Sequence, residues 1–188
     1  MTVDCHSVLV AAKDRQISSL AQAMLTAPVF ETRIISDFNE ARRLAAERSY
    51  NIILADYADG AGMDFAEDVS SSLSTILLLA PQTLYEEVSY RVEGFGIITL
   101  ATPFDNFTFY SSIKAAIAVQ YKVQSISSQT VKLKIKMEEI RLVNRAKMLL
   151  MQFLKMTEQE AHRYIEKEAM DRGMKKTTVA ENIIKTYG

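Results

Sequence analysis

Six cations and a hydroxyl near the end of the chain carry the candidate chemistry: Arg145, Lys147, Arg163, Arg172, Lys175, Lys176 and Thr177. From Arg141 to Gly188 ten lysines and arginines stand against six acids, while the 188 residues together carry a net charge of −1, so the remainder is acidic. A basic tail on an acidic body points to a polyanionic partner. Cations of this kind contact phosphates and give affinity and salt dependence. Were the polyanion an RNA, discrimination would come instead from unpaired bases splayed onto aromatic or guanidinium faces. Tyr164, His162, Arg145, Thr177 and Thr178 are the side chains here able to read a base. Tyr164 fits a core position better than a stacking platform, Thr178 fits a helix cap, and His162 fits a solvated face. Arg145, Lys147 and Lys175 are the firmest phosphate contacts expected, because no paired acid stands near them at helical spacing. Covalent chemistry finds no support, since no Gly-rich phosphate loop, nucleophile–base pair or ligand cluster is legible. One cysteine, Cys5, excludes an intramolecular disulfide and a Cys-based metal cluster, and two histidines make no metal site. Neither enzyme activity, cofactor nor metal is expected.

Short helices must position these cations. Thr157-Glu158-Gln159-Glu160 and Thr178-Val179-Ala180-Glu181 each place a hydroxyl three residues before a Glu, the spacing of a capping box, and Gly173 offers a stop between them. Ala161, Tyr164, Ile165 and Ala169 recur at helical spacing in one helix, and Val179, Ala180, Ile183 and Ile184 in the next. A third, Ile140 to about Leu154, brings Val143, Ala146, Leu149, Leu150, Phe153 and Leu154. Three amphipathic helices with alanines at their contacts can bury one another's apolar faces.

The order of residues in this module, Ala146-Lys147-Met148-Leu149-Leu150-Met151, then Thr157-Glu158-Gln159-Glu160-Ala161, Ala169-Met170 and Val179-Ala180-Glu181, closely resembles the ANTAR family of RNA-binding antitermination domains across about 139–187. Two positions depart from that pattern: Met148 replaces the Gly that commonly follows the Ala-Lys pair, and His162 stands where an aromatic is usual. Met is the better helix former, so the first departure is harmless. The second removes one stacking or core ring. The resemblance implies a protein that binds paired stem-loops in a nascent leader transcript and so prevents a competing terminator hairpin.

Upstream, residues 6–118 alternate apolar runs with amphipathic ones, as a parallel α/β sheet requires. Strands are expected at Ser7–Ala12, Glu31–Ser36, Asn51–Asp56, Ser74–Ala80 and Gly96–Ala101. Helices are expected at Arg15–Thr26, Asn39–Arg48, Asp64–Ser71, Leu84–Val92 and from about Asp105, with Asp37 and Thr83 as caps. Five strands and five helices suggest a flavodoxin-like order with its site beyond the strands' carboxyl ends.

This half resembles the receiver domain of response regulators. Asp56 aligns with the phospho-accepting aspartate, Gly62-Met63-Asp64 echoes the loop after it, and Thr102-Pro103-Phe104 echoes the ending of the fifth strand. The rest of the family's site is missing. Ala12 and Lys13 occupy the places of the magnesium-holding acids, Thr102 that of the lysine, and Leu79 that of the hydroxyl. Phosphoryl transfer to a carboxylate needs those groups to neutralise and hold charge. Asp56 is therefore expected to be an inactive phospho-acceptor equivalent, held by Lys13 or by backbone donors, with Asp14 a partial substitute at the edge of the pair.

Between the two halves Val119, Val123, Ile126, Thr130, Leu133, Met137, Ile140 and Asn144 alternate steps of four and three, a heptad seam that predicts a parallel homodimer, with Val119, Val123, Ile126, Leu133, Met137 and Ile140 as its apolar contacts. Ser125, Ser127, Ser128 and Thr130 compete for backbone hydrogen bonds and mark the expected hinge.

Taken together, these readings give a flavodoxin-like, receiver-like α/β domain over 1–120, a coiled-coil helix over 121–139 and an all-α, three-helix RNA-binding module over 140–188. The expected function is cytoplasmic RNA-binding antitermination by a homodimer. Its pseudo-receiver would be switched by an upstream protein or small ligand rather than by phosphate. Control through phosphorylated Asp56 and a protein-interaction adaptor without RNA binding are the competing readings. No apolar run approaches the length of a membrane span.

Overall fold

The computed structural model describes residues 4–188. Five strands, β1 (His6–Ala11), β2 (Phe30–Ile35), β3 (Ile52–Asp56), β4 (Thr75–Pro81) and β5 (Ile98–Thr102), alternate with helices α1 (Arg15–Met24), α2 (Phe38–Glu47), α3 (Ala61–Val69), α4 (Tyr85–Val92) and α5 (Asn106–Leu154). All pairings are parallel, in the order β2-β1-β3-β4-β5.

The apolar runs are continuous because this sheet is buried on both faces, so every residue along a central strand meets a core. The two-residue period of a strand then divides them. Leu9, Ala11, Ile53, Ala55, Leu78 and Ala80 face the side carrying Phe38, Met63, Phe65 and Val88. Val8, Val10, Ile52, Leu54, Leu77 and Leu79 face Ala21, Leu25, Phe109, Ile113 and Ala116.

Local chemistry sets most of the helix starts. Asp14 caps α1, accepting from the Gln16 N–H at 2.7 Å, and Asp37 caps α2, accepting from Glu40 at 2.8 Å. Asp105 accepts from the Thr108 N–H at 2.7 Å where α5 begins. Those bonds hold its carboxyl below the usual range. The expected cap at Thr83 does not form. A short 3-10 turn, Gln82–Leu84, intervenes, and α4 starts at Tyr85 without a side-chain cap.

Contacts divide the chain into one unit ending at Ser125 and another beginning at Ile126. Within the second, the end of α5 packs with α6 (Glu158–Asp171) and α7 (Lys176–Tyr187) around Ala146, Leu150, Ala161, Ile165, Ala169, Val179, Ala180 and Ile183. Four of those eight are alanines, which let helix axes approach closely. The hydroxyl-rich stretch does not break α5. The Thr130 hydroxyl donates back to the Ile126 carbonyl at 2.9 Å, so the competition expected there is resolved within the helix. From Ser128 to Arg141 every residue of α5 is exposed, including Leu133, Met137 and Ile140 of the seam, and Val119 and Ile126 are exposed upstream.

Candidate nucleic-acid interface

Two local motifs shape the cationic unit. At the start of α6 the Thr157 side chain accepts from the Glu160 N–H at 3.3 Å, and the Glu160 carboxylate accepts from the Thr157 N–H at 2.8 Å, the expected reciprocal box. These bonds keep the Glu160 carboxyl below its usual range. At the end of α6 the Gly173 N–H donates to Met170 and the Met174 N–H to Ala169, with Gly173 at φ 60°, a left-handed reversal that glycine permits without a side-chain clash. The reversal brings Lys175, Lys176 and Thr177 back alongside α6. The second expected box does not form: α7 begins at Lys176, its N-cap is Lys175, and no side chain caps it, so Thr178 already lies inside the first turn.

The candidate contacts separate into groups. Lys147, Lys175, Lys176 and Thr177 line one groove of about 780 Å³, together with His162 and an apolar wall that includes Ile140, Val143 and Met174. Arg172 lies at a different hollow, beside Tyr164, and Arg145 at a third, on the Met137–Met148 side of α5. Arg163 is exposed on α6 and lines none of these. The structure thus gathers four of the seven residues and leaves three elsewhere.

Pairing also differs from expectation. Lys147 is not free: its ammonium lies 2.8 Å from the Glu158 carboxylate, and its side chain is only 15% exposed. Glu158 stands eleven residues away on the next helix, so helical spacing could not reveal it. The same contact lowers the Glu158 carboxyl from its usual range. Lys176 pairs with Glu166, and Arg172 with Glu168 at 2.7 Å. Arg145, Arg163 and Lys175 form no ion pair among the described residues. Tyr164, expected in the core, is 38% exposed, because α6 turns Ala161, Ile165 and Ala169 inward instead. Glu158, Glu166 and Met170 are the residues that spacing missed. Of these three, Glu166 alone carried a local signal, standing four residues from His162 at 3.3 Å.

At the other candidate position, Asp56 ends β3 and is 4% exposed. Its Oδ2 accepts from the Asp14 N–H at 2.8 Å, and its Oδ1 is buried without a hydrogen-bond partner. Burial pushes the carboxyl above its ordinary range, while the Asp14 N–H and more weakly that of Lys13 pull the other way. The pairing considered for Lys13 does not form: its ammonium sits over the Phe38 ring, 5.5 Å from the centroid. The Asp14 backbone N–H holds Asp56 instead. The residues present do not fit a divalent cation, since Ala12 is apolar and buried and the Asp14 carboxylate is committed to capping α1. Leu79 is 1% exposed, and the Thr102 hydroxyl donates to the Ala80 carbonyl at 3.2 Å. A Cβ on Gly62 would stand 1.6 Å from the Asp56 carbonyl oxygen, so the loop after β3 closes directly onto the strand end.

Comparison with known proteins agrees with this division. Residues 132–184 match the family described as ANTAR domain. The transcriptional regulatory protein PdtaR, in two strains of Mycobacterium tuberculosis, is 27% identical over 128 residues, which is 68% of this chain and 62% of that protein. The match therefore spans less than two thirds of those relatives. Among solved structures, NtrX from Brucella abortus superposes with a TM-score of 0.59 at 15% identity, over 66% of this chain and 30% of that one. The chemotaxis response regulator CheY4 of Vibrio cholerae superposes with a TM-score of 0.53 at 20% identity, over 60% of this chain and 99% of that one. At such identities these two likenesses speak to the fold of the sheet domain alone. Among the described residues no helix is long and apolar enough to cross a membrane, and no group of three or more His, Cys, Asp or Glu is placed to hold a metal ion.

Proposed function

We propose that this chain, an ANTAR response regulator in which a receiver-like fold is followed by an ANTAR domain, binds stem-loops in nascent leader RNA as a homodimer and acts by antitermination. The observation that carries the reading is the family match over 132–184 falling on the helices that gather Lys147, Lys175, Lys176 and Thr177 at one groove. No bond need be made or broken. Preferential binding to one of two competing RNA folds, worth about 3 kcal/mol, changes their ratio by about a hundredfold.

Dimerisation rests on the exposed four-three seam. Leu133, Met137 and Ile140 leave apolar surface in water, and a second copy of α5 would cover it with like residues. Thr130 and Asn144, polar at seam positions, would fix register and strand number. Two linked modules would bind paired loops more tightly than one, because the second contact becomes intramolecular. On this reading the receiver-like domain works without phosphate on Asp56, as the absent lysine, hydroxyl and paired acids imply, and takes its signal from a protein or small ligand.

RNA recovered with the protein from its source cell and sequenced is the direct test. Hairpin-bearing leader segments should be enriched, with an affinity that falls steeply with salt and drops about tenfold or more in Arg145→Glu or Lys175→Glu. Indifference to every such hairpin would sink the proposal. Leu133→Asp should convert the dimer to a monomer in sedimentation and weaken binding to paired hairpins more than to single ones. Incubation with acetyl phosphate and magnesium should add no mass; a stable adduct on Asp56 would restore phosphorylation as the switch.

A further inference from the structure

We propose that the groove formed by the end of α5, α6 and the start of α7 seats one unpaired nucleotide of an RNA loop, whose phosphate displaces the Glu166 carboxylate from Lys176. The proposal rests on the RNA-binding reading above and adds a place, an occupant and an internal competitor.

The groove joins two surfaces that a nucleotide needs together. Ile140, Val143, Met174 and Ala169 form an apolar wall, and Met170, 81% exposed, extends it outward. A volume of about 780 Å³ lies within the range of small-ligand sites. Thioether side chains adapt to flat faces of varied shape, which suits a base read by contact rather than by one hydrogen-bond pattern. On the rim stand Lys175, which has no ion pair among the described residues, and Lys176 with the Thr177 hydroxyl beside it. A flat, largely apolar ring carrying an anion complements that arrangement.

Glu166 is the competitor. Its Oε1 takes Lys176 and also faces the His162 Nε2 at 3.3 Å, so one carboxylate occupies the position that a phosphate oxygen would take. Its carboxyl is held below the usual range, first by the hydrogen bond from Lys176 and then by that charge, so it is ionised at neutral pH. The pair is open to solvent, with Lys176 52% and Glu166 38% exposed at their side chains. An exposed pair exchanges partners at small cost, because the released carboxylate is rehydrated at once. The lysine is thereby kept from indiscriminate phosphate contact, and only a phosphate whose base also fits the apolar wall displaces the glutamate.

The test uses the full chain and a fluorescein-labelled hairpin RNA enriched on the wild-type protein from a pool with randomised loops. The same stem as a blunt duplex serves as control, and both are titrated between about 50 and 200 mM salt. Glu166→Gln should tighten hairpin binding about three- to tenfold and raise the salt slope by about one. Met170→Ala, at an exposed position that folding tolerates, should weaken the hairpin several-fold and leave the duplex unchanged. Hairpin affinity that is unchanged or lower in Glu166→Gln, or an equal loss on hairpin and duplex in Met170→Ala, overturns the groove assignment while RNA binding stands. A wild-type protein that enriches no hairpin overturns both.

Discussion

At the carboxyl end of the sheet Asp56 is 4% exposed and its neighbour Lys13 turns away to the Phe38 ring; beside α6, Glu166 is half-exposed and holds Lys176 and His162. Both places set an acid near a lysine, yet they stand on opposite sides of the desolvation balance. A buried carboxylate without a cation is driven toward its neutral form. An exposed ion pair gains little from its own attraction and exchanges readily with another anion. The acid open to exchange thus lies in the small helical unit, whereas the one at the end of β3 is buried.

The largest expected effect separates the two regions outright. Leu150 is fully buried among Ala146, Ala161 and Ile165, and Leu150→Ala should cost about 2–5 kcal/mol of the helical unit's stability. Hydrogen exchange should show lost protection in α6 and α7 with β3 unchanged. If β3 loosened too, the two regions would not be energetically separate. The next effect depends on pH. Because burial raises the Asp56 carboxyl in the folded state, its contribution is fully present below the ordinary aspartate range and is lost as pH rises through the raised value. Asp56→Asn should therefore melt at a higher temperature than wild type at neutral pH, with the gap closing in acid. A variant less stable at every pH would show Asp56 to be a structural anion after all. Thr157→Ala removes a capping hydroxyl and should cost about 1 kcal/mol, read by chemical denaturation as a loss confined to α6 and its neighbours. Smallest is Lys13→Ala, which forfeits the contact with Phe38, about 0.5–1 kcal/mol. If Lys13 served Asp56 instead, its loss would shift the pH dependence just described.

Much of the sheet was legible because two-sided burial writes itself as unbroken apolar runs: the five expected strands lie within two residues of β1 to β5. Asp37 caps its helix as its spacing predicted, while Asp14 and Asp105, not expected as caps, cap theirs through bonds two or three residues away. Thr83 and Thr178 had equally good spacing and cap nothing, since a 3-10 turn and an early helix start displaced them. The exposed seam of α5 was legible as a heptad continuing the fifth helix of the sheet domain, while the hinge expected at Ser125–Thr130 does not interrupt α5. There, the Thr130 hydroxyl, of a kind that weakens an isolated helix, found the Ile126 carbonyl inside it.

Residue order alone determined the element sequence and the basic character of the last helices, because each depends on side-chain type or on neighbours within one turn. Only tertiary structure decided which charges are spoken for. Lys147 with Glu158 and Lys176 with Glu166 meet across helix reversals, at sequence separations of eleven and ten residues, and Lys13 finds an aromatic ring on another element. Electrostatic pairing follows distance in space, and a chain that reverses at Lys155 and Gly173 sets those distances only once its alanine-lined helices have packed.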